Sequence, residues 1–123
     1  TLTTGAMQAN ALGPLASYDG ALIFKTPETG LTVNFEVSNA GTQSTVSDFG
    51  TSISDTWHRV QMYFDGISMI YAHFYNGTSW VSTSLPVTLS GLAEMHLVAG
   101  VKAGPTAAAE TLQIDYIKCV AER

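Results

Sequence analysis

Residues 57–78 read WHRVQMYFDGISMIYAHFYNGT, and this stretch indicates the fold of the chain. Aromatic and aliphatic residues lie on both sides of Asp65-Gly66, and a second pair of the same kind, Asn76-Gly77, follows. Asp-Gly and Asn-Gly tolerate the positive φ angles that tight hairpin turns require. The stretch therefore predicts consecutive β-hairpins, which are the building units of antiparallel sandwiches and barrels.

Apolar residues occupy every second position in several other segments. In residues 31–37 this alternation predicts a half-buried strand with its apolar side chains on one face. Further strands are predicted over 21–25, 45–49, 80–84, 94–101 and 112–120. No segment has the pattern of an amphipathic helix. About eight short strands with regular turns predict an all-β fold, an antiparallel two-sheet sandwich of the jelly-roll type.

The length of 123 residues fits one domain. We expect residues 1–19 to form an irregular N-terminal arm, because they lack a core pattern, and residues 20–123 to form the β-sandwich domain. The core is expected to consist of apolar side chains on the inward faces of the alternating strands: Val33, Phe35, Val60, Met62, Phe64, Leu97, Ile114 and Tyr116.

The charge of the chain argues against a nucleic-acid partner, and the length of its apolar runs argues against membrane insertion. Ten acidic and five scattered basic residues give a net charge of -5, whereas nucleic-acid binding requires clustered Lys and Arg. No apolar run approaches the roughly 20 residues of a membrane-spanning helix, so no membrane insertion is expected.

Charged residues make up only 12% of the chain, which suits a secreted protein or a subunit packed against neighbours. Cys119 is the single cysteine, so no disulfide can form within the chain.

The order of these motifs resembles the concanavalin A-like, laminin-G-like jelly-roll family. In that family a strand opens as Trp-His-Arg-Val, an Asp-Gly turn follows, and the next strand ends in Asn-Gly; residues 57–60, 65–66 and 76–77 match these motifs. Residues 112–118, LQIDYIK, resemble the closing strand of the family. The resemblance covers roughly residues 20–120, although family domains are usually longer. It implies a jelly roll, and similar short domains occur in bacteriophage virion proteins as capsid decoration or tail-fibre modules.

Catalytic and metal sites are not predicted. Glycoside hydrolysis needs two carboxylates that flank the scissile bond, but Glu94 and Asp115 are isolated and the Glu-x-Asp-x-x-Glu run of hydrolases with this fold is absent. His58, His73 and His96 are not at the spacing of zinc ligands. No loop is dense enough in acidic residues for calcium. We therefore expect no enzymatic activity, no catalytic residues, no metal ion and no cofactor.

Four aromatic residues are the candidate ligand-binding residues: Tyr63, Tyr71, Tyr75 and Trp80. Aromatic rings on a sheet surface can stack against sugar rings. The competing interpretation is that at least half of them pack in the core or against neighbouring strands.

Two functions remain open after these exclusions. The first is a non-enzymatic structural protein on the surface of a virus particle, such as a bacteriophage capsid decoration or fibre module. It would bind other virion proteins, form a homo-oligomer or join an assembly, and pack residues 1–19 on its neighbours. The alternative is a carbohydrate-binding, lectin-like module of an extracellular protein or adhesin, with a glycan as its ligand.

Overall fold

The computed structural model describes residues 13–15, 18–26, 30–39, 41–88, 97, 99 and 111–120. The regular structure of these residues consists of six strands: β1 Gly20–Phe24, β2 Thr32–Asn39, β3 Thr42–Thr51, β4 Arg59–Phe64, β5 Met69–Tyr75 and β6 Trp80–Pro86. They form two antiparallel three-stranded sheets, with the orders β1-β2-β3 and β4-β5-β6. The predicted all-β class is confirmed. None of the described residues belongs to a helix that could cross a membrane.

The turn between β4 and β5 forms where Asp65-Gly66 predicts it. One side-chain oxygen of Asp65 accepts hydrogen bonds from the backbone amides of Ile67, Ser68 and Met69 at 2.8, 2.8 and 3.0 Å. These bonds, above all the one from Met69, hold the pKa of Asp65 below its ordinary value. Gly66 has a φ of 81°, a conformation that glycine adopts without strain.

The turn between β5 and β6 repeats this arrangement with an asparagine. Oδ1 of Asn76 accepts hydrogen bonds from the amides of Thr78 and Ser79, both at 3.0 Å, and Gly77 has a φ of 98°. Both predicted turns are therefore confirmed. Because the two loops fix the register of three consecutive strands, they determine which side chains share each face of this sheet.

The core lies between the two sheets. Its buried apolar side chains come from the central strands β2 and β5: Val33, Phe35, Val37, Ile70, Ala72 and Phe74. Phe49 of β3 lies between them, with its ring centre 6.3 Å from those of Phe35 and Phe74 in edge-to-face geometry. A Cβ atom on Gly50 would lie 2.7 Å from Cδ1 of Phe74, so glycine permits this close approach of the sheets.

The predicted burial is confirmed for Val33 and Phe35, and Phe64 is half-buried. It is wrong for Val60 and Met62, which are 60% and 42% exposed. Both side chains have the predicted parity, since they pair with Phe74 and Ala72 and point toward the inner side of the sheet. They are exposed because β4 is an edge strand, and the first sheet contacts the second mainly through β6.

The C-terminal segment also differs from its prediction. Residues 112–120 form no strand, and every described residue from 111 to 120 is exposed. The predicted burial of Ile114, Tyr116 and Leu97 is therefore wrong. Of the strand predicted over 94–101, only residues 97 and 99 are described, and neither is in a strand. An alternating sequence forms a strand only when a neighbouring strand pairs with its backbone, and the sequence does not specify that neighbour.

The prediction that β2 is half-buried is also wrong, because its polar side chains Asn34, Glu36 and Ser38 are buried as well. As the middle strand of its sheet, β2 is covered on one face by the second sheet. On the other face, residues of the predicted N-terminal arm contact it: the hydroxyl of Ser38 donates a hydrogen bond of 2.5 Å to the backbone oxygen of Tyr18. The described part of the arm thus packs on its own chain, and residues 1–12, 16 and 17 lie outside the described residues.

The carboxylate of Glu36 is the centre of this contact. Oε1 accepts hydrogen bonds from the hydroxyl of Tyr18 and the side-chain amide of Gln43, both at 2.9 Å, and Oε2 accepts one from the hydroxyl of Thr45 at 2.6 Å. The same amide donates to the backbone oxygen of Leu15 at 2.8 Å. Burial, together with the adjacent Glu36, raises the pKa of Tyr18 well above its ordinary value. Glu36 therefore connects β2, β3 and the arm.

Candidate functional site

The outward face of the β4-β5-β6 sheet carries the candidate site. Residues on this face alternate with the buried Ile70, Ala72 and Phe74, and the strand register aligns them in three rows. The rows are Arg59-Tyr75-Trp80, Gln61-His73-Ser82 and Tyr63-Tyr71-Ser84. We call this surface of nine residues the aromatic face. All four candidate ligand-binding residues lie on it, two at each end.

At one end of the aromatic face, the rings of Tyr63 and Tyr71 stack in parallel. Their centres are 4.7 Å apart and their planes differ by 7°. Tyr63 is also nearly parallel to the imidazole of His73, at 5.8 Å and 9°. Tyr63 is nevertheless 52% exposed, because it belongs to the edge strand β4. Cross-strand stacking thus orients this ring and leaves much of its surface accessible to a ligand.

At the other end, Tyr75 and Trp80 form a second aromatic pair. Their ring centres are 5.3 Å apart and their planes are tilted by 38°. The hydroxyl of Tyr75 donates a hydrogen bond of 2.8 Å to the backbone oxygen of Gly77, which anchors the ring. The guanidinium carbon of Arg59 lies 5.7 Å from the centre of the Tyr75 ring, at cation-π distance. Trp80 remains 45% exposed.

Hydrogen-bonding groups separate the two aromatic ends. Nδ1 of His73 and the hydroxyl of Ser82 lie 2.7 Å apart and share a hydrogen bond. Gln61 completes this row and is exposed. An amide, an imidazole and a hydroxyl offer both donors and acceptors, so this row can bind the hydroxyl groups of a ligand whose apolar faces contact the aromatic rings.

The four aromatic residues are the candidate ligand-binding residues predicted from the sequence, and the other five members of the aromatic face were not among them: Arg59, Gln61, His73, Ser82 and Ser84. These residues can be identified from the alternation of side chains between the two faces of each strand. Once the turns at Asp65-Gly66 and Asn76-Gly77 set the register, every second residue from Arg59 to Ser84 falls on the face that carries Tyr63. The aromatic face is therefore implied by the two turns and the alternation together.

Other parts of the described structure have fewer groups that could bind a ligand or a metal ion. No group of three or more His, Cys, Asp or Glu side chains able to hold a metal ion occurs in the described ranges. His58 stacks on Phe74 at 5.3 Å, and its Nε2 accepts a hydrogen bond of 3.0 Å from the amide of Ile53, so its contacts are structural. Glu94 and His96 lie outside the described residues.

A cleft lies between the β2-β3 hairpin and the end of β6. Asn39 contributes to its wall and donates a side-chain hydrogen bond to the backbone oxygen of Thr88. The cleft is lined by seven residues, none of which has a titratable side chain: Val37, Asn39, Thr42, Ser44, Pro86, Val87 and Thr88. This cleft lacks the aromatic and ionisable groups of the aromatic face, which is therefore the stronger candidate for a ligand site.

No protein-family model, curated protein or solved structure matches the chain.

Proposed function

We propose that the protein is a non-enzymatic binding domain that holds a carbohydrate on the aromatic face. The observation that supports this proposal is the arrangement of two aromatic pairs at opposite ends of one exposed sheet surface, with hydrogen-bonding side chains between them. Sugar rings present apolar C-H faces and polar edges. Exposed aromatic rings complement the former, and groups such as Gln61 and His73 complement the latter.

The dimensions of the aromatic face favour an oligosaccharide over a single sugar. The rows of Tyr75 and Tyr71 are separated by four residues along β5. At about 3.4 Å per residue, this spacing separates the two aromatic pairs by roughly 14 Å. One sugar ring cannot contact both pairs, whereas a short oligosaccharide lying along the strands can. The surface also suits binding within a longer sugar chain, because Tyr63 and Trp80 at its two ends are both exposed.

Loss of an exposed ring should weaken glycan binding. We expect Trp80→Ala and Tyr63→Ala each to raise the Kd of a glycan selected on an array by about 10 to 100-fold, because each removes a stacking ring at one end. Titration calorimetry measures the change, and recovery of the glycan intact tests the non-enzymatic character. Ile67→Ala, which truncates an exposed apolar side chain in the β4-β5 turn, is the control and should leave Kd unchanged.

Two results would contradict the carbohydrate proposal. One is the absence of binding to any glycan on a broad array at high protein concentration. The other is a Trp80→Ala or Tyr63→Ala variant that binds the selected glycan as tightly as the parent protein, which would place the ligand on another surface. A glycan cleaved during the titration would contradict the non-enzymatic part of the proposal.

We also propose that the two-sheet arrangement belongs to the concanavalin A-like jelly-roll class. This proposal is supported by the Trp-His-Arg-Val opening of residues 57–60 and by the turns that follow it. An extracellular location accompanies a glycan-binding function of this kind.

The second candidate is a structural subunit on the surface of a virus particle, such as a phage capsid decoration or fibre module. The observation that favours it is a surface poor in charge that exposes apolar side chains, including Val60 and Met62 on the edge strand β4. Such side chains are typical of surfaces that another subunit covers. Copurification of the protein with virus particles at a fixed stoichiometry would support this function, and its complete separation from purified particles would contradict it.

A further inference from the structure

The β4 edge of the second sheet lacks a neighbour among the described strands, since β4 pairs only with β5. An unpaired edge presents a row of free backbone donors and acceptors. The inner-face residues Val60 and Met62 are exposed beside that edge, and β4 contains neither proline nor a bulge that would hinder pairing. In contrast, the exposed positions of the β3 edge are mainly polar, and β1 is half-buried throughout.

Residues 112–120 have the complementary properties. The apolar residues Leu112, Ile114 and Tyr116 alternate with Gln113 and Asp115, which is the pattern of a strand that covers an apolar face. Nevertheless, every residue of this segment is exposed in its own chain and none is in a strand. Among the described residues, the chain therefore carries both an edge without a neighbouring strand, with exposed apolar side chains beside it, and a segment outside any strand that is able to cover it.

We propose that the segment 112–120 of one chain pairs in antiparallel orientation, through residues 112–115, with the β4 edge of a second copy, and that two copies make this exchange reciprocally. A second copy is the partner because the segment does not pack on its own sheet in the structure. Exchange of an identical element between protomers is a low-cost route to a symmetric dimer. The proposal is independent of the carbohydrate function and goes beyond it.

Charge and apolar complementarity select the register. When Asp115 pairs with Arg59 in antiparallel orientation, Ile114 lies opposite Val60 and Leu112 lies opposite Met62. An ion pair and two apolar cross-strand pairs then form together, and each contributes favourably. In a parallel alignment that keeps the apolar positions matched, Asp115 lies opposite Tyr63 and Arg59 opposite Thr111, so the ion pair is lost.

The exchange also changes the aromatic face. Residues with the parity of Asp115 point outward in this register, so Gln113 and Asp115 extend the face beyond β4, beside Gln61 and Arg59. A reciprocal dimer joins two aromatic faces in one particle. Binding of two sites to one polymer raises the apparent affinity when both are engaged.

Disulfide trapping between two copies tests the exchange directly. One chain carries Gln61→Cys and the other, with a distinguishing tag, carries Gln113→Cys; both carry Cys119→Ser to remove the native thiol. These outward positions lie opposite each other in the proposed register, at the Cα separation of roughly 5 Å that a disulfide spans. Ile117→Cys replaces Gln113→Cys in the control pair, because residue 117 lies about four residues away from Gln61 in this register.

Under mild oxidation, the Gln61→Cys and Gln113→Cys chains should form the mixed disulfide dimer at least about tenfold faster than the control pair. Equal rates for the two pairs would overturn the register. The exchange itself would be overturned if a single chain carrying Gln61→Cys, Gln113→Cys and Cys119→Ser closed its disulfide internally, as a monomer on a non-reducing gel.

A second measurement uses no added cysteine. By sedimentation, the native chain should have the mass of a dimer, and Met62→Lys should shift it to the monomer because it places a charge in the apolar contact. The proposal would be overturned if the native chain sedimented as a monomer at high concentration. It would also be overturned if the Met62→Lys variant remained a dimer.

Discussion

Replacement of Phe35 by alanine is expected to lower the free energy of unfolding by about 3–5 kcal/mol, the usual cost of emptying a buried aromatic site. Phe35 is fully buried in the central strand β2, and its ring contacts that of Phe49 in edge-to-face geometry at 6.3 Å. The variant loses both the burial of the ring and this contact, and the sheets can only partly close the cavity. Urea denaturation followed by tryptophan fluorescence measures the change.

Phe64→Ala is the matched control, because it makes the same chemical change at a half-buried position on the edge strand β4. It should cost clearly less than Phe35→Ala, since Phe64 is only partly buried and part of its side chain already contacts water. Equal losses for the two variants, or a loss below about 1 kcal/mol for Phe35→Ala, would contradict the packing of the sheets described above.

The hairpins of the second sheet were predictable because their determinants are local. Asp65 and Asn76 each accept hydrogen bonds from amides within four residues, and the glycine that follows each of them supplies the positive φ. No distant residue is needed for either turn. The antiparallel pairing and the register of β4, β5 and β6 follow from these two turns.

Burial was less predictable, because alternation does not distinguish an edge strand from a central one. Val33 and Phe35 on β2 alternate with polar residues just as Val60 and Met62 on β4 do, yet the first pair is buried and the second exposed. Burial depends on the position of the strand in its sheet and on the sheet that covers it. Both are set by pairings between residues distant in sequence, which a local pattern does not encode.

The shared face of the four candidate ligand-binding residues could be predicted from the sequence, whereas the contacts of Glu36 on the other sheet could not. The four aromatic residues have a common parity across two local turns, so their shared face follows from the sequence. The contacts of Glu36 do not, because its partners Tyr18 and Thr45 come from other segments that only the folded chain brings together. Its place in the alternation predicted an exposed side chain, whereas it is buried.

Replacement of Glu36 is also expected to lower the free energy of unfolding substantially, because its carboxylate accepts hydrogen bonds from three side chains. Glu36→Ala removes the acceptor for the hydroxyls of Tyr18 and Thr45 and for the side-chain amide of Gln43. We expect the free energy of unfolding to fall by about 3 kcal/mol, the contribution of one or two hydrogen bonds to a charged group after water has satisfied the more exposed donors. Urea denaturation measures this loss. Because the carboxylate also holds Tyr18, limited proteolysis should cut the segment before β1 faster in the variant.

Glu36→Gln separates the role of the charge from that of the acceptor. The amide keeps one oxygen that can accept from Tyr18 or Gln43, but its NH2 group is a donor and faces another donor, the hydroxyl of Thr45, unless the side chain or that hydroxyl reorients. Its stability should therefore lie between those of the parent and of Glu36→Ala. If Glu36→Ala matched the parent in both stability and proteolysis, the carboxylate would not connect the arm to the sheet. If only the proteolysis rate rose, Glu36 would anchor the arm without stabilising the sandwich.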